Sequence, residues 1–313
     1  MLSPSTVPLL LSFAAAAVTG AAAFLALRRF SREETVASLR QDVRDAVLLL
    51  REPPTVLVTG FRAHGKSSFI NTACRALAAE AGPMLLRAET SPPVTHSATF
   101  DRCVIRAAVA GGGSEDEKEE GEATCAQVAL VDAPALPEPG QLTRADVEEA
   151  LSGVPPPECV ALVLRCGGPA KDRHAAVKKL ADVTTAIRQR GLQFVVVLTH
   201  KKRIKSMRKA EELRREIAFR ARTDCVYLIE NYTAGNMLNI RRPWATKNNL
   251  ETHYTVLMIV RQCVEFAKLR RSHSIGQTEN GDLIGIEYSW DVGIESGQGT
   301  SMGASGDGVE DYV

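Results

Sequence analysis

The sequence of 313 residues predicts an α/β fold: a mostly parallel sheet with one antiparallel strand, covered by helices on both faces. Three observations predict it. Short Val/Leu-rich runs alternate with longer stretches of helical periodicity, the signature of strand–helix–strand units. The run Val56-Leu57-Val58-Thr59 leads directly into Gly60-Phe61-Arg62-Ala63-His64-Gly65-Lys66-Ser67, a G-x-x-x-x-G-K-S loop that opens a helix. At 45% hydrophobic, the chain can bury one large core.

Taken in order, the elements begin with Val7 to Leu27, a stretch without charge that is long enough to cross a hydrocarbon layer as a helix and is followed at once by Arg28, Arg29 and Arg32. A membrane anchor is expected over 1–30, with the C-terminal bulk in the cytosol, at the endoplasmic reticulum or an organelle outer membrane. Ser31-x-x-Glu34 has the form of a capping box, and Val36, Leu39, Val43, Val47 and Leu50 recur at helical spacing up to Pro53-Pro54. A linker helix is therefore expected over 31–52, its apolar stripe packed on the following domain.

That domain is expected over 53–273. Its strands are read at 55–59, 102–109, 126–131, 159–165, 192–198 and 225–230, and its helices at 66–80, 143–152, 173–190, 205–222 and 249–271. The Gly-rich and then acidic segment 111–124 cannot bury a core and reads as a disordered insertion, and 274–313 reads as a flexible Gly/Ser/acid-rich tail. A net charge of +1 argues against a nucleic-acid partner. Seven scattered cysteines without a C-x-x-C pair read as reduced, packed thiols.

The chemistry lies in the glycine loop. Gly60 and Gly65 allow its backbone to turn with amides inward. The next helix adds its positive N-terminal end, and His64, Ser67 and Ser68 belong to the same phosphate cradle. Lys66 reaches β/γ-phosphate oxygens, and the Ser67 hydroxyl ligates Mg²⁺. Asp132, at the end of Val128-Ala129-Leu130-Val131, is the second Mg²⁺ candidate. With these residues the chain resembles the P-loop GTPase superfamily and its three-layer G domain, where a D-x-x-G motif follows the strand. Asp132 and Pro134 match that motif, whereas Ala135 replaces its Gly and Leu136 stands where a water-orienting Gln is found.

The resemblance also implies a Mg²⁺-binding switch threonine among Thr90, Thr95 and Thr99, with Thr95 preferred. It implies base contacts from Thr199-His200 after the strand 192–198, although Lys202 occupies the place of the family's guanine-reading Asp. The Leu198-Thr199-His200 run looks like the septin-like branch, including chloroplast-envelope import receptors. Glu230-Asn231-Tyr232 is similar to the interferon-induced 44 family, with Asn231 near the base. The resulting expectation is a membrane-anchored protein that binds GTP or GDP with Mg²⁺ and acts as a slow GTPase switch. The alternatives are a degenerate adaptor without significant hydrolysis, or an ATP-binding P-loop protein. A homodimer or another protein partner is common among the relatives it resembles.

Overall fold

The computed structural model describes residues 6–79, 103–111, 126–204, 206–232 and 248–279, with side chains from Val18 to His273 within those ranges. Strands β1 (Thr55–Thr59), β2 (Cys103–Ala108), β3 (Gln127–Asp132), β4 (Cys159–Arg165), β5 (Gln193–Thr199) and β6 (Val226–Leu228) form one sheet in the order β2-β3-β1-β4-β5-β6. All neighbours are parallel except β2 and β3. The expected mostly parallel sheet with one antiparallel strand is therefore present.

The central strands are apolar throughout because both faces are covered. On one face Val56, Val58, Ala161, Val163, Val195 and Val197 meet helices α1 (Thr6–Leu48), α2 (Lys66–Ala78) and α6 (Leu250–Glu279) in one buried cluster. The alternate residues Leu57, Leu162, Leu164, Phe194 and Leu198 face the opposite layer, formed by α3 (Arg144–Leu151), α4 (Ala170–Gln189) and α5 (Met207–Ala221). The edge strand β2 is covered least, and its pattern is mostly exposed. Thr143 starts α3 through a reciprocal capping box with Asp146.

The N-terminal elements differ from expectation. Ser31 does not cap a new helix: α1 is continuous over 43 residues, and the Thr35 hydroxyl donates to the Ser31 carbonyl inside it at 2.8 Å. An Arg29–Glu33 pair one turn apart bridges the same stretch. The stripe Val36, Leu39, Val43 and Val47 does pack on the domain, chiefly along α6. Among the described residues no helix is long and apolar enough to cross a membrane, so the expected transmembrane helix is not supported. Its described side chains start at Val18, and the segment is diluted by Ala and Gly and turns charged at Arg28.

The expected insertion at 111–124 lies outside the described residues apart from Gly111; the tail expected from 274 is helical at its start, since α6 continues through Glu279, and the residues beyond lie outside the described ones. Of the seven cysteines, Cys74, Cys103, Cys159, Cys166, Cys225 and Cys263 are free. Burial pushes Cys74 up to about 11 and Cys166 up to about 12, which keeps both as unreactive thiols.

Candidate functional site

The C-terminal ends of β1, β3, β4, β5 and β6 converge on one rim of the sheet, where open α/β folds place their ligands. The turn after β1 is a phosphate loop in geometry as well as in sequence. Gly60, Ala63 and Gly65 all have positive φ (149°, 58° and 90°), and Ala63 adopts a conformation that non-glycine residues seldom do. The first helical bond of α2 runs from the Phe69 amide to the Gly65 carbonyl at 2.9 Å. Among the described residues, the amides of Gly65, Lys66 and Ser67 consequently have no backbone acceptor. They are presented to an anion together with the positive end of the helix.

Two desolvated charges of opposite sign meet here. Burial lowers the pKa of Lys66, which the nearby Asp132 carboxylate opposes only in part. Burial likewise raises Asp132, against the Ser67 hydrogen bond and Lys66. The Ser67 hydroxyl donates to Asp132 Oδ2 at 2.7 Å, while the buried Asp132 Oδ1 has no partner. A hydroxyl and a carboxylate with an unused buried oxygen form a hard oxygen donor pair that suits Mg²⁺, so the residues fit the ion that the sequence led us to expect.

The loops after β5 and β6 are clamped to the glycine loop. The Thr199 hydroxyl donates to the His64 carbonyl at 2.7 Å, and Asn231 Nδ2 donates to the Gly65 carbonyl at 3.1 Å. His200 Nδ1 lies 2.9 Å from Thr199 Oγ1. Because the single Thr199 proton goes to His64, this contact is made by a His200 Nδ1–H, which leaves Nε2 as an acceptor. Burial, with Arg165 next, lowers the pKa of His200 and keeps it neutral.

His64 plays a different part from a ligand contact through its ring. Its Nδ1 accepts the Arg165 backbone N–H at 3.2 Å, and its ring stands edge-on to Phe61. Burial first, then Lys66, Arg165 and His200, depresses it to about 4, so it braces the loop as a neutral ring. Ser68 is buried within the first turn of α2. Thr95 lies outside the described residues.

Two site residues escaped the sequence reading. Arg165 ends the otherwise apolar β4, its guanidinium neighbours His64 and His200, and its buried Nε lacks a partner. Glu230, after β6, accepts the Lys202 backbone N–H through Oε2 at 2.8 Å. A carboxylate therefore stands beside the position where Lys202 displaced the expected one. The available signal was a charge terminating a buried apolar strand at the ligand-bearing rim.

Five buried side-chain atoms among the described residues lack a hydrogen bond, and four of them, on Thr59, Asp132, Arg165 and Asn231, border this one rim. Such a concentration makes this rim the candidate site for a polar ligand, since isolated buried orphans are costly and few. The Ala135–Leu136 segment is less poised for chemistry. The Leu136 amide donates to the Gly60 carbonyl at 3.0 Å, its carbonyl accepts the Arg62 amide at 3.3 Å, and its side chain, 2% exposed, points into the core.

The glycine loop, the strand order and the Ser67–Asp132 pair together define a mostly parallel α/β domain with a P-loop-like turn after its first strand. No family model and no curated protein matches the sequence. Among solved structures, the chain is similar to a dimerization-deficient mutant of Toc33 from Arabidopsis thaliana, with 17% identity over 77% of this chain and 93% of that one and a TM-score of 0.47. A probable GTP-binding protein EngB gives 12% identity over 66% and 98%, with a TM-score of 0.34. The signal recognition particle receptor SRb-GTP/SRX complex from Chaetomium thermophilum gives 17% over 57% and 90%, with a TM-score of 0.35. These likenesses are too distant to carry a functional assignment, which rests on the site itself.

Proposed function

We propose that this protein binds a guanine nucleotide with Mg²⁺ and acts as a nucleotide-controlled switch with slow turnover. The observation that carries this is the set of unpartnered amides, desolvated Lys66 and Asp132, and orphaned polar atoms gathered around Gly60 to Ser67. Lys66 and the loop amides would hold the polyphosphate, and Ser67 and Asp132 the metal, which supplies charge neutralisation between the phosphate oxygens. With Leu136 buried and hydrogen-bonded to the loop, no side chain at that position can orient a water. This favours slow turnover and keeps an adaptor reading as the runner-up.

Guanine is favoured over adenine by Glu230. A carboxylate can accept both the N1–H and the exocyclic amine of guanine, whereas adenine N1 would bring a lone pair against it. Lys202 N–H fixes Oε2 while capacity to accept remains on both oxygens. In competition against a fluorescent guanine nucleotide, GTP is expected to displace the probe and ATP to fail. Glu230→Ala should then weaken GTP by about tenfold to a hundredfold, the value of a charge-assisted hydrogen bond or two, and leave ATP unchanged. Equal competition by both nucleotides in the parent chain would refute guanine selectivity while leaving phosphate binding intact.

The N-terminal part of α1 supports membrane attachment as a separate reading. Val18, Phe24, Leu25, Leu27 and Phe30 are all more than 60% exposed along the N-terminal part of the helix, with Arg28, Arg29 and Arg32 clustered at the C-terminal end of that part. A chain lacking Met1 to Leu27 is expected in the soluble fraction while the full chain sediments with membranes. The same distribution for both would end this reading.

A further inference from the structure

We infer that a groove between α1 and the start of α6, remote from the phosphate loop, is a second anion site built for the phosphate of an anionic phospholipid headgroup. The groove has a volume of about 740 Å³ and is walled by α1 from Arg29 to Arg40, the end of α2 at Ala79, and residues 248–253. Arg29, Arg32, Val36 and Arg40 recur at three- and four-residue spacing and so share the face of α1 that borders it.

The two carboxylates at the groove are already engaged. Glu33 pairs with Arg29 at 2.8 Å, and Glu251 pairs with Lys201 at 2.5 Å. Arg32 and Arg40 therefore remain as cations without an acidic partner among the described residues. Arg40 gives its Nε to the Ala76 carbonyl at 2.9 Å, and burial lowers its pKa, so holding its charge there is costly.

A second and independent sign comes from the inner wall. His253 is 2% exposed, and its Nε2 is the one orphaned buried side-chain atom of the described residues that lies away from the nucleotide site. Its ring stands edge-on to Tyr232, with Arg40 and Arg75 nearby. Burial, with those two arginines, depresses it to about 4, so at neutral pH it offers one N–H and no added charge. Asn249 caps the first turn of α6 through bonds from the Glu251 and Thr252 amides, and the long helix still presents its positive end to the groove.

A lipid is the favoured carrier because the exposed apolar residues Phe24, Leu25, Leu27 and Phe30 precede this face on the same helix. A phosphate seated in the groove would place acyl chains on that side.

The test uses the full chain in a neutral detergent. It is titrated with micelles carrying phosphatidylserine, with micelles carrying phosphatidylcholine, and with inorganic phosphate, and the heat of binding is read. Phosphatidylserine is expected to bind at least tenfold more tightly than phosphatidylcholine. The exposed Arg32→Gln should weaken it about fivefold, the usual value of one cation near an anionic surface, and His253→Phe should weaken it further. Lys66→Ala should leave it unchanged, which separates this groove from the nucleotide site.

Inorganic phosphate binding as tightly as the lipid, and lost in Arg32→Gln, would uphold the anion site and overturn the lipid as its carrier. Equal binding of the two lipids, which share the phosphate and differ in net charge, would overturn the anionic headgroup as occupant, and an Arg32→Gln chain that retains GTP binding and full phosphatidylserine affinity would overturn the site.

Discussion

Lys66→Ala should sharply weaken Mg²⁺-dependent nucleotide binding, with affinity falling about a hundredfold to several thousandfold, while the nucleotide-free domain keeps its melting temperature. The two halves of this expectation have one cause. In the free protein the ammonium is desolvated, and the attraction of Asp132 does not make up for its burial. Its removal therefore relieves a cost as well as an attraction, and the fold does not depend on it. With nucleotide bound, the same ammonium would make charge-assisted contacts in a site sheltered from water. Losing one partner of such a buried pair costs about 3–5 kcal/mol.

Acid should act on the same site through Asp132. Its pKa is raised by burial, so on acidification it takes up a proton before an ordinary carboxylate near 4 would. For stability the sign is the reverse of the usual carboxylate case: the ionised form is disfavoured in the folded state, so this group costs stability as pH rises through its folded pKa. For metal binding, the protonated form cannot ligate. Mg²⁺-dependent affinity should therefore begin to fall while exposed carboxylates are still ionised. Calorimetric titrations of parent and Lys66→Ala over a pH series measure both effects. A mutant that binds like the parent removes the proposed site, and a Mg²⁺ dependence that stays flat down to pH of about 4 removes Asp132 from it.

The sequence announces the sheet and the phosphate loop for a physical reason. Strands buried on both faces must be apolar at every position, so β1, β4 and β5 appear as unbroken runs, and a loop that wraps phosphate must have glycine at defined places. Asp132 was legible because it ends such a run. Glu230 and Arg165 were not, because their roles arise only when separate strand ends converge: the Glu230 carboxylate meets a backbone amide 28 residues away, at Lys202. The α1 boundary misled for the opposite reason. Ser31-x-x-Glu34 has the letters of a capping box, yet capping also requires a non-helical backbone at the serine. The helix already running from Thr6 is more easily continued than broken, since propagation costs less than a new nucleus. His64 shows a further limit. Spacing places it in the loop, but only the fold turns its ring toward the Arg165 amide.

Gly60→Ala should be the most destabilising single change at the site. A Cβ at this position would lie 2.2 Å from the Val163 carbonyl oxygen and 3.1 Å from its carbon, in a backbone conformation with φ of 149° that L-residues rarely adopt. The obstructing atoms are main chain of β4, which pairs with β1 in the centre of the sheet and is covered on both faces, so neither strand can yield without disturbing its neighbours. Overpacking and backbone strain together amount to about 3–5 kcal/mol, a large part of the total stability of a typical domain. At about 2–4 °C per kcal/mol for a domain of this size, the melting temperature should fall by roughly 10 °C. Gly65→Ala is the contrasting case. Its nearest neighbours are side-chain atoms, Asn231 Nδ2 at 3.3 Å and Thr199 Oγ1 at 3.5 Å, which can shift. It keeps the strain of a left-handed φ of 90° but meets no main chain, so it should cost less stability than Gly60→Ala and act more on nucleotide affinity, through the amide that would face a phosphate. Thermal unfolding of the two nucleotide-free variants side by side separates the roles, and a Gly60→Ala chain that melts with the parent would mean that β1 and β4 do not approach as closely as this architecture requires.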